Sequence, residues 1–206
     1  MEIELKWGLR HPGDLQRLLA HLPEPERILL QQNHYYTDDG GDLSRARTMV
    51  RFREEGVGGD GCSGVDRVIL TVKKRLSKVD GVFRAEEVEE VIPADVWNDI
   101  LSERKTLDEL ASPAIETLRA SGFKGAWVSQ GVLTNKRHVV PIEGFVLEID
   151  RTTFDDGHVD VEVEVETLDT AGAERLLTRL GSEAGIEFFV QTHGKYSRFR
   201  KRSLGP

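Results

Sequence analysis

Charged and apolar residues alternate strictly along Glu2-Ile3-Glu4-Leu5-Lys6-Trp7. This pattern predicts a strand over residues 2–7 or slightly beyond, with Glu2, Glu4 and Lys6 on one face and Ile3, Leu5 and Trp7 on the other. The same two-residue period returns at least four more times, and the sign of the charge changes from strand to strand. Residues 27–36 (RILLQQNHYY) read as a second strand, ended by the turn-forming residues 38–42 (DDGGD). Over 45–54, Arg51 and Arg53 share a face; over 67–75, Lys73 and Arg75 share one, with Val72 opposite. Residues 82–92 continue as an antiparallel partner across 77–81. Strands return at 126–141, where Gly131 marks a candidate bulge, and at 145–151. The purest alternation is 159–166, with Asp160, Glu162, Glu164 and Glu166 on one face and four valines on the other.

Between the strands the period lengthens to that of a helix. His11-Pro12-Gly13-Asp14 leads into a helix over 14–22 with Leu15, Leu18, Leu19 and Leu22 aligned. Pro93-Ala94-Asp95 starts a helical middle, and Ser112-Pro113 starts another helix ending near Gly122. Asp169-Thr170 caps a helix over 171–184. Residues 55–66 hold five glycines and read as a mobile hairpin loop. In the basic tail, residues 194–202, Tyr196 and Phe199 are expected to pack a terminal helix while most of the cations stay in water. The whole reads as one α+β domain, residues 1–206, built on antiparallel sheet.

Composition narrows the setting. The 206 residues, 38% hydrophobic and 31% charged, suffice for a core without covalent staples. The net charge of −8 argues against nonspecific nucleic-acid binding. Cys62 is the only cysteine, so no intrachain disulfide can form. No apolar run is as long as a membrane span and Met1-Glu2 opens no signal peptide, so a cytoplasmic location without a membrane partner is expected. Oligomeric state stays open. The six histidines are scattered without metal-ligand spacing.

The charged faces carry the candidate chemistry. Some strands offer acids: Glu2 and Glu4; Glu86, Glu87, Glu89 and Glu90; Glu148 and Asp150; Glu162, Glu164 and Glu166. Others offer bases: Arg51 and Arg53; Lys73 and Arg75; Arg137. Facing water, each pair would contribute a few tenths of a kcal/mol at most, roughly, and alternation alone favours that ordinary arrangement. Closed into a barrel with these faces inward, the carboxylates would call for a hard cation such as Mg²⁺ or Mn²⁺. The cations across the lumen would then call for a polyanion. A phosphate chain with its metal satisfies both.

Glu2-Ile3-Glu4-Leu5-Lys6 resembles the ExExK signature of the CYTH family, the triphosphate tunnel metalloenzymes. Further segments resemble family landmarks in the family's order: Tyr35-Tyr36, Val50-Arg51-Phe52-Arg53, Leu70-Thr71-Val72-Lys73, Phe83-Arg84-Ala85-Glu86-Glu87, Asn135-Lys136-Arg137, Leu147-Glu148-Ile149-Asp150, Glu162-Val163-Glu164-Val165-Glu166 and Gly194-Lys195-Tyr196. One departure is that Thr37 precedes Asp38 where the family often has the reverse order. The resemblance implies an eight-stranded antiparallel barrel around a hydrophilic tunnel, with helices packed outside. It implies metal ligands among Glu2, Glu4, Glu162, Glu164 and Glu166, with Glu164 and Glu166 preferred to Glu162. Glu87 is chosen from an acidic cluster in which Glu86 and Glu89 stay open. Phosphate would be held by Lys6, Arg51, Arg53, Lys73, Arg75, Arg84, Arg137 and Lys195, while catalysis would rest on Glu2, Glu4, Lys6 and Glu87. The implied activity is hydrolysis of a triphosphate, most simply inorganic tripolyphosphate. Thiamine triphosphate, nucleoside triphosphates, cyclisation of ATP and noncatalytic polyphosphate binding are the alternatives.

Overall fold

The computed structural model describes residues 2–58 and 64–203, for Glu2 the backbone only. Cys62 and the centre of the predicted glycine-rich loop therefore lie outside the described residues. The strands run as β1 (Glu2–Leu9), β2 (Arg27–Asp38), β3 (Thr48–Val57), β4 (Arg67–Val79) and β5 (Val82–Ile92), followed by β6 (Trp127–Ile142), β7 (Phe145–Thr153), β8 (Val159–Glu166) and β9 (Phe188–Val190). The helices are α1 (Asp14–Leu19), α2 (Asp42–Arg45), α3 (Ala94–Leu101), α4 (Pro113–Ala120), α5 (Thr170–Ala184) and α6 (Lys195–Ser203).

All strand pairings are antiparallel, in the order β5-β4-β3-β2-β6-β7-β8-β1, and β1 returns to β5 to close an eight-stranded barrel. One edge of β1 serves two partners. Glu2 to Leu5 pair with β5, whereas Trp7 to Leu9 pair with the short β9. The expected α+β barrel with external helices is thus the observed fold.

Alternation acts here in reverse of a common sandwich. The apolar face of each strand points outward, where helices cover it, and the polar face lines the lumen. On one side, Val161, Val163 and Val165 of β8 pack with Leu5 and Leu9 of β1 under Leu176, Leu177 and Leu180 of α5 and Leu15 and Leu18 of α1. On the other, Val50 and Phe52 of β3 and Val68, Leu70 and Val72 of β4 lie beneath Trp97 of α3 and Ile115 and Leu118 of α4. Each fully buried Val, Leu or Phe side chain contributes about 1.5–3 kcal/mol. The outer core therefore holds the register that aims every other residue inward.

Several boundaries differ from the sequence expectation for identifiable reasons. The helix at 14–22 stops after Leu19, because the next turns tighten toward Pro23. The strand expected from 45 begins at Thr48, since residues 42–45 form α2, whose first amides are capped by Asp38 at 2.6 and 2.9 Å. The glycine-rich segment 55–66 is not all loop. β3 extends through Val57, and Glu55 is buried on the lumen face. Gly131, at φ +113, lies at the register shift opposite Tyr35 and Tyr36, as the bulge reading expected. A β-carbon there would come within 3.1 Å of the Phe199 ring, so glycine serves both conformation and close approach.

The outer core has a direct test. Phe52 is fully buried and stacks on Trp97 with ring centroids 4.7 Å apart. Phe52→Ala should lower the unfolding free energy by about 3–5 kcal/mol in urea titrations. A loss below about 1 kcal/mol would place the core elsewhere.

Candidate functional site

The lumen is a cavity of about 630 Å³ bordered by Glu4, Arg51, Arg53, Lys73 and Glu164 among others, so five of the predicted residues converge on one space. A second opening of about 350 Å³ shares Gln31, Arg53, Arg137 and Glu148 with it. The two together make a passage through the barrel.

Charge is divided between opposite walls. β3 and β8 stand four strands apart whichever way the barrel is followed. On the β7–β8–β1 side, register sets Glu148 opposite Glu164 and Asp150 opposite Glu162, with Lys6 of β1 opposite Glu164. Like charges directly across a ladder repel. Here cations separate them. Arg137 from β6 reaches Asp150 at 2.6 Å, Glu164 at 2.8 Å and also Glu148. Lys6 contacts Glu4 at 2.6 Å and also Glu164. Lys195 of α6 stands among Asp150, Glu162 and Glu164 at 2.6, 2.6 and 2.7 Å. Arg198, one turn along α6, binds Asp160 at 2.8 Å and Glu162 at 2.9 Å.

Protonation follows from this arrangement. Burial opposes ionisation of Glu164, but Lys195, Lys6 and Arg137 outweigh it and hold the carboxyl well below its usual range. Burial also opposes charge on Lys6 and Lys195, yet the surrounding carboxylates raise both. Glu148 moves the other way. Burial raises it, and Glu164 and Asp150 add to that against the pull of Arg137. These short contacts join six carboxylates to four cations and leave two negative charges over.

The β3–β4 wall is basic. Arg51 donates to Thr71 Oγ1 at 3.1 Å, and Lys73 pairs with Glu87 at 2.9 Å. Arg53 lies 3.8 Å from Glu55 and 3.7 Å from Glu89. The Nε groups of Arg51 and Arg53 are buried and donate to nothing among the described residues. Burial, reinforced by the like charges of Arg51 and Arg137, brings the Arg53 guanidinium down to about 10. Arg51 also lies 3.5 Å from Glu89, so the three cations of this wall face three carboxylates, mostly at longer range than the pairs of the acidic side.

The remaining predicted residues are placed as follows. Glu162 is fully buried, whereas Glu166, paired with Glu4 in register, is exposed at the end of β8. The acidic group that the barrel assembles is Asp150, Glu162 and Glu164, each offering an oxygen within 4.8 Å of the others. Glu87 lines the lumen, whereas Glu86 and Glu89 are exposed. Arg75 borders the cavity at the bulge in β4. Arg84 borders it too, although register pairs it with Ile3, out of phase with Glu87. The side chain of Glu2 lies outside the described residues; its backbone pairs with Ala85.

Asp150 is among the strand acids read from sequence but not among the expected metal ligands, and Arg198 has no expected role. Asp150 carries the same alternation signal as Glu148 two residues earlier. The basic tail was expected to keep most cations in water; instead Lys195 and Arg198 are each only 11% exposed in their side chains. What turns them inward is Phe199, fully buried against Tyr35, Leu133 and Phe154, which seats α6 across one mouth.

Fold and site together define a closed antiparallel barrel whose charged faces point into a tunnel. The chain belongs to the CYTH family, whose domain model matches residues 1–187. No functionally curated protein matched the sequence. A solved structure from Hippeastrum, of a protein proposed as an adenylyl cyclase and described as having a dominant triphosphatase activity, is 27% identical. It superposes with a TM-score of 0.88 over 100% of this chain and 98% of the other. A proposed adenylate cyclase from Bacillus halodurans is 22% identical with a TM-score of 0.73, each chain being covered to 97%. A protein of Pyrococcus horikoshii is 17% identical with a TM-score of 0.63, covering 98% of this chain and 99% of that one. The last two likenesses are of fold. Among the described residues, no helix is long and apolar enough to cross a membrane.

Burial of Arg53 beside two other guanidinium groups makes a prediction about stability. A base held below its ordinary pKa in the fold is more easily charged in the unfolded chain, so near neutral pH the Arg53 charge works against folding. Arg53→Gln should leave the melting temperature of the ligand-free protein unchanged or higher, while weakening phosphate binding. A large fall in melting temperature without ligand would mean that Arg53 is held by compensating contacts.

Proposed function

We propose that this protein is a metal-dependent triphosphatase whose simplest substrate is inorganic tripolyphosphate, cleaved with water to pyrophosphate and orthophosphate. The observation that carries this reading is the pair of opposed walls. A basic face with undonated guanidinium N–H groups looks across one lumen at a carboxylate face that is two charges short of neutral. In-line phosphoryl transfer asks mainly for positioning and charge neutralisation, which such a lumen can supply.

The donor set suits a hard divalent cation. Asp150, Glu162 and Glu164 already gather one cation, the Lys195 ammonium, at contact distance. They would hold Mg²⁺ or Mn²⁺, with Glu2, Glu4 and Glu166 as the further ligands that the family resemblance implies. The metal, when bound, supplies charge to polarise the phosphate and to lower the pKa of water. Arg51, Arg53 and Lys73 take the phosphate oxygens, and Lys6 and Arg137 reach them from the facing wall. Lys195 would exchange its carboxylates for phosphate, and Arg75 and Arg84 serve at the mouth. Glu87, the acid set within the basic wall beside Lys73, orients the attacking water. The activity described for the Hippeastrum relative supports hydrolysis over cyclisation. For a base or thiazolium ring, Tyr35 is already stacked 4.9 Å from Tyr196, and Tyr36 lies edge-on to Phe52 outside the lumen.

Phosphate release should be measured with tripolyphosphate, pyrophosphate, ATP and thiamine triphosphate, each with Mg²⁺ or Mn²⁺, and cyclic AMP should be assayed with ATP. Tripolyphosphate should show the highest kcat/KM. No turnover with any of them, or cyclic AMP as the main product, would overturn the proposal. Glu2→Gln combined with Glu4→Gln keeps side-chain volume and should lower kcat on the order of a hundredfold. Metal-free tripolyphosphate binding should survive or tighten, since less negative charge faces the anion. Parental turnover by the folded double variant would remove these carboxylates from the metal site.

A further inference from the structure

The cavity carries more positive charge than a triphosphate needs, and the excess lies outside the lumen. Beyond Arg51, Arg53 and Lys73, its mouth is bordered by Arg47, Arg75, Arg84, Arg200 and Lys201. These come from the α2–β3 turn, β4, β5 and α6, so four separate parts of the chain bring a cation to one rim. None of the five is ion-paired to a described carboxylate. Arg200 donates to Ser44 Oγ at 2.8 Å, and Lys201 lies 2.9 Å from His193 Nε2, so their polar contacts are neutral. The carboxylates bordering the cavity, Glu4, Glu87, Glu148 and Glu164, all sit on the strand walls within.

Two further features show that the rim is built. Arg47 is held at φ +54, a conformation that a residue with a β-carbon rarely adopts, and its carbonyl accepts the Arg75 amide at 3.1 Å. The turn is thereby fixed against the β4 bulge with both arginines at the mouth. The second opening of the passage contrasts with this. There Arg27, Arg53, Arg67 and Arg137 are matched by Glu55, Glu89, Glu90 and Glu148. Only one mouth is built for anions.

We infer that this rim is a second phosphate subsite, which binds the part of a linear inorganic polyphosphate chain that extends beyond the three phosphates held in the lumen. The inference rests on the triphosphatase reading for the placement of the chain's end. A polyphosphate suits the rim better than a nucleotide or an RNA end. Each interior phosphate carries an acidic oxygen for a separate cation, whereas the described rings bordering the cavity are already engaged, Phe83 being buried with the Lys6 ammonium 5.6 Å from its centroid. Tyr196 packs at a tilt against Tyr35 with ring centroids 4.9 Å apart, donates its hydroxyl to Gln130 and has Arg200 at 6.0 Å from its ring.

The test is equilibrium binding in the presence of chelator, so that nothing turns over. It uses tripolyphosphate and a size-fractionated linear polyphosphate of about ten phosphates, each at several salt concentrations. The parent protein should bind the longer chain about tenfold more tightly or better. Arg47→Gln with Lys201→Gln should abolish most of that preference and flatten the salt dependence for the long chain. It should leave tripolyphosphate binding, and its hydrolysis with metal, at parental levels. Equal affinity for the two chains, or a preference untouched by the double variant, would overturn the rim subsite while tripolyphosphate turnover could stand. A rim-dependent preference in a protein that hydrolyses nothing would support the subsite and overturn the triphosphatase reading instead. Stronger competition by a 5′-triphosphorylated oligonucleotide than by polyphosphate at equal charge would also overturn the inference.

Discussion

Three carboxylates that share a dry pocket cannot stay ionised unless cations stand between them, and the rest of the lumen is arranged around meeting that need. Removing Asp150, Glu162 and Glu164 from water costs several kcal/mol for each ion, roughly, before any attraction is counted. Arg137, Lys6 and Lys195 reach the group from β6, β1 and α6. Neutralising it therefore joins the first strand, the middle of the chain and the last helix. The contacts with α6 have a particular consequence. Its Lys195 and Arg198 bind carboxylates that a metal would also bind, so the helix closing one mouth is held partly by the charge that a cation would take over.

The barrel joins stability and chemistry through register. Because side chains alternate with a period of two, Val161 and Val163 under α5 each fix a carboxylate pointing inward on the next residue of β8. Phe52 does the same for Arg51 and Arg53 on β3. A slip of one residue would expose the core and empty the site at once, so selection for either property protects the other. The walls differ in what they do for folding. Ion pairing at 2.6–2.9 Å offsets much of the burial cost on the acidic side, whereas on the basic side Arg53 meets its carboxylates only at 3.7 and 3.8 Å.

Much of the barrel was legible from alternation, because β1 and β8 each have a two-residue period over most of their length and are followed by turn or loop residues. The direction in which the charged faces point was not. Alternation is equally satisfied by wet acids outside and valines inside, and only the order of the family landmarks pointed the other way. Within the site, Glu162 and Glu166 look alike in sequence. Their difference comes from where β8 ends: Glu166 is its last residue and reaches water, while Glu162 lies deep beside Asp150. The family resemblance marks Lys195 as inward, but Arg198 sits in a run of basic residues that reads as mostly solvated. Only Phe199, once placed against Tyr35 and Leu133, turns those two cations inward. Glu55 was assigned to a loop by its neighbouring glycines, yet Gln31 and Arg67 hold it on the lumen wall at 2.8 Å.

An acidic chain that must attract a polyanion faces an electrostatic conflict. With a formal charge of −8, the whole molecule repels tripolyphosphate at long range. Screening limits that repulsion to about 8 Å at physiological salt, so an approaching anion responds mainly to the nearest charges. At the α6 mouth those are Arg47, Arg75, Arg84, Arg200 and Lys201, while at the other mouth the charges balance. The acids that make the chain negative are thus no bar to entry at the mouth where the cations gather. Once inside, the anion meets the buried guanidinium groups of Arg51 and Arg53 in surroundings where each charge acts more strongly than it would in water. The passage is therefore polarised along its length as well as across its width. Its cations gather at one mouth and along β3, whereas its buried carboxylates gather on β7 and β8.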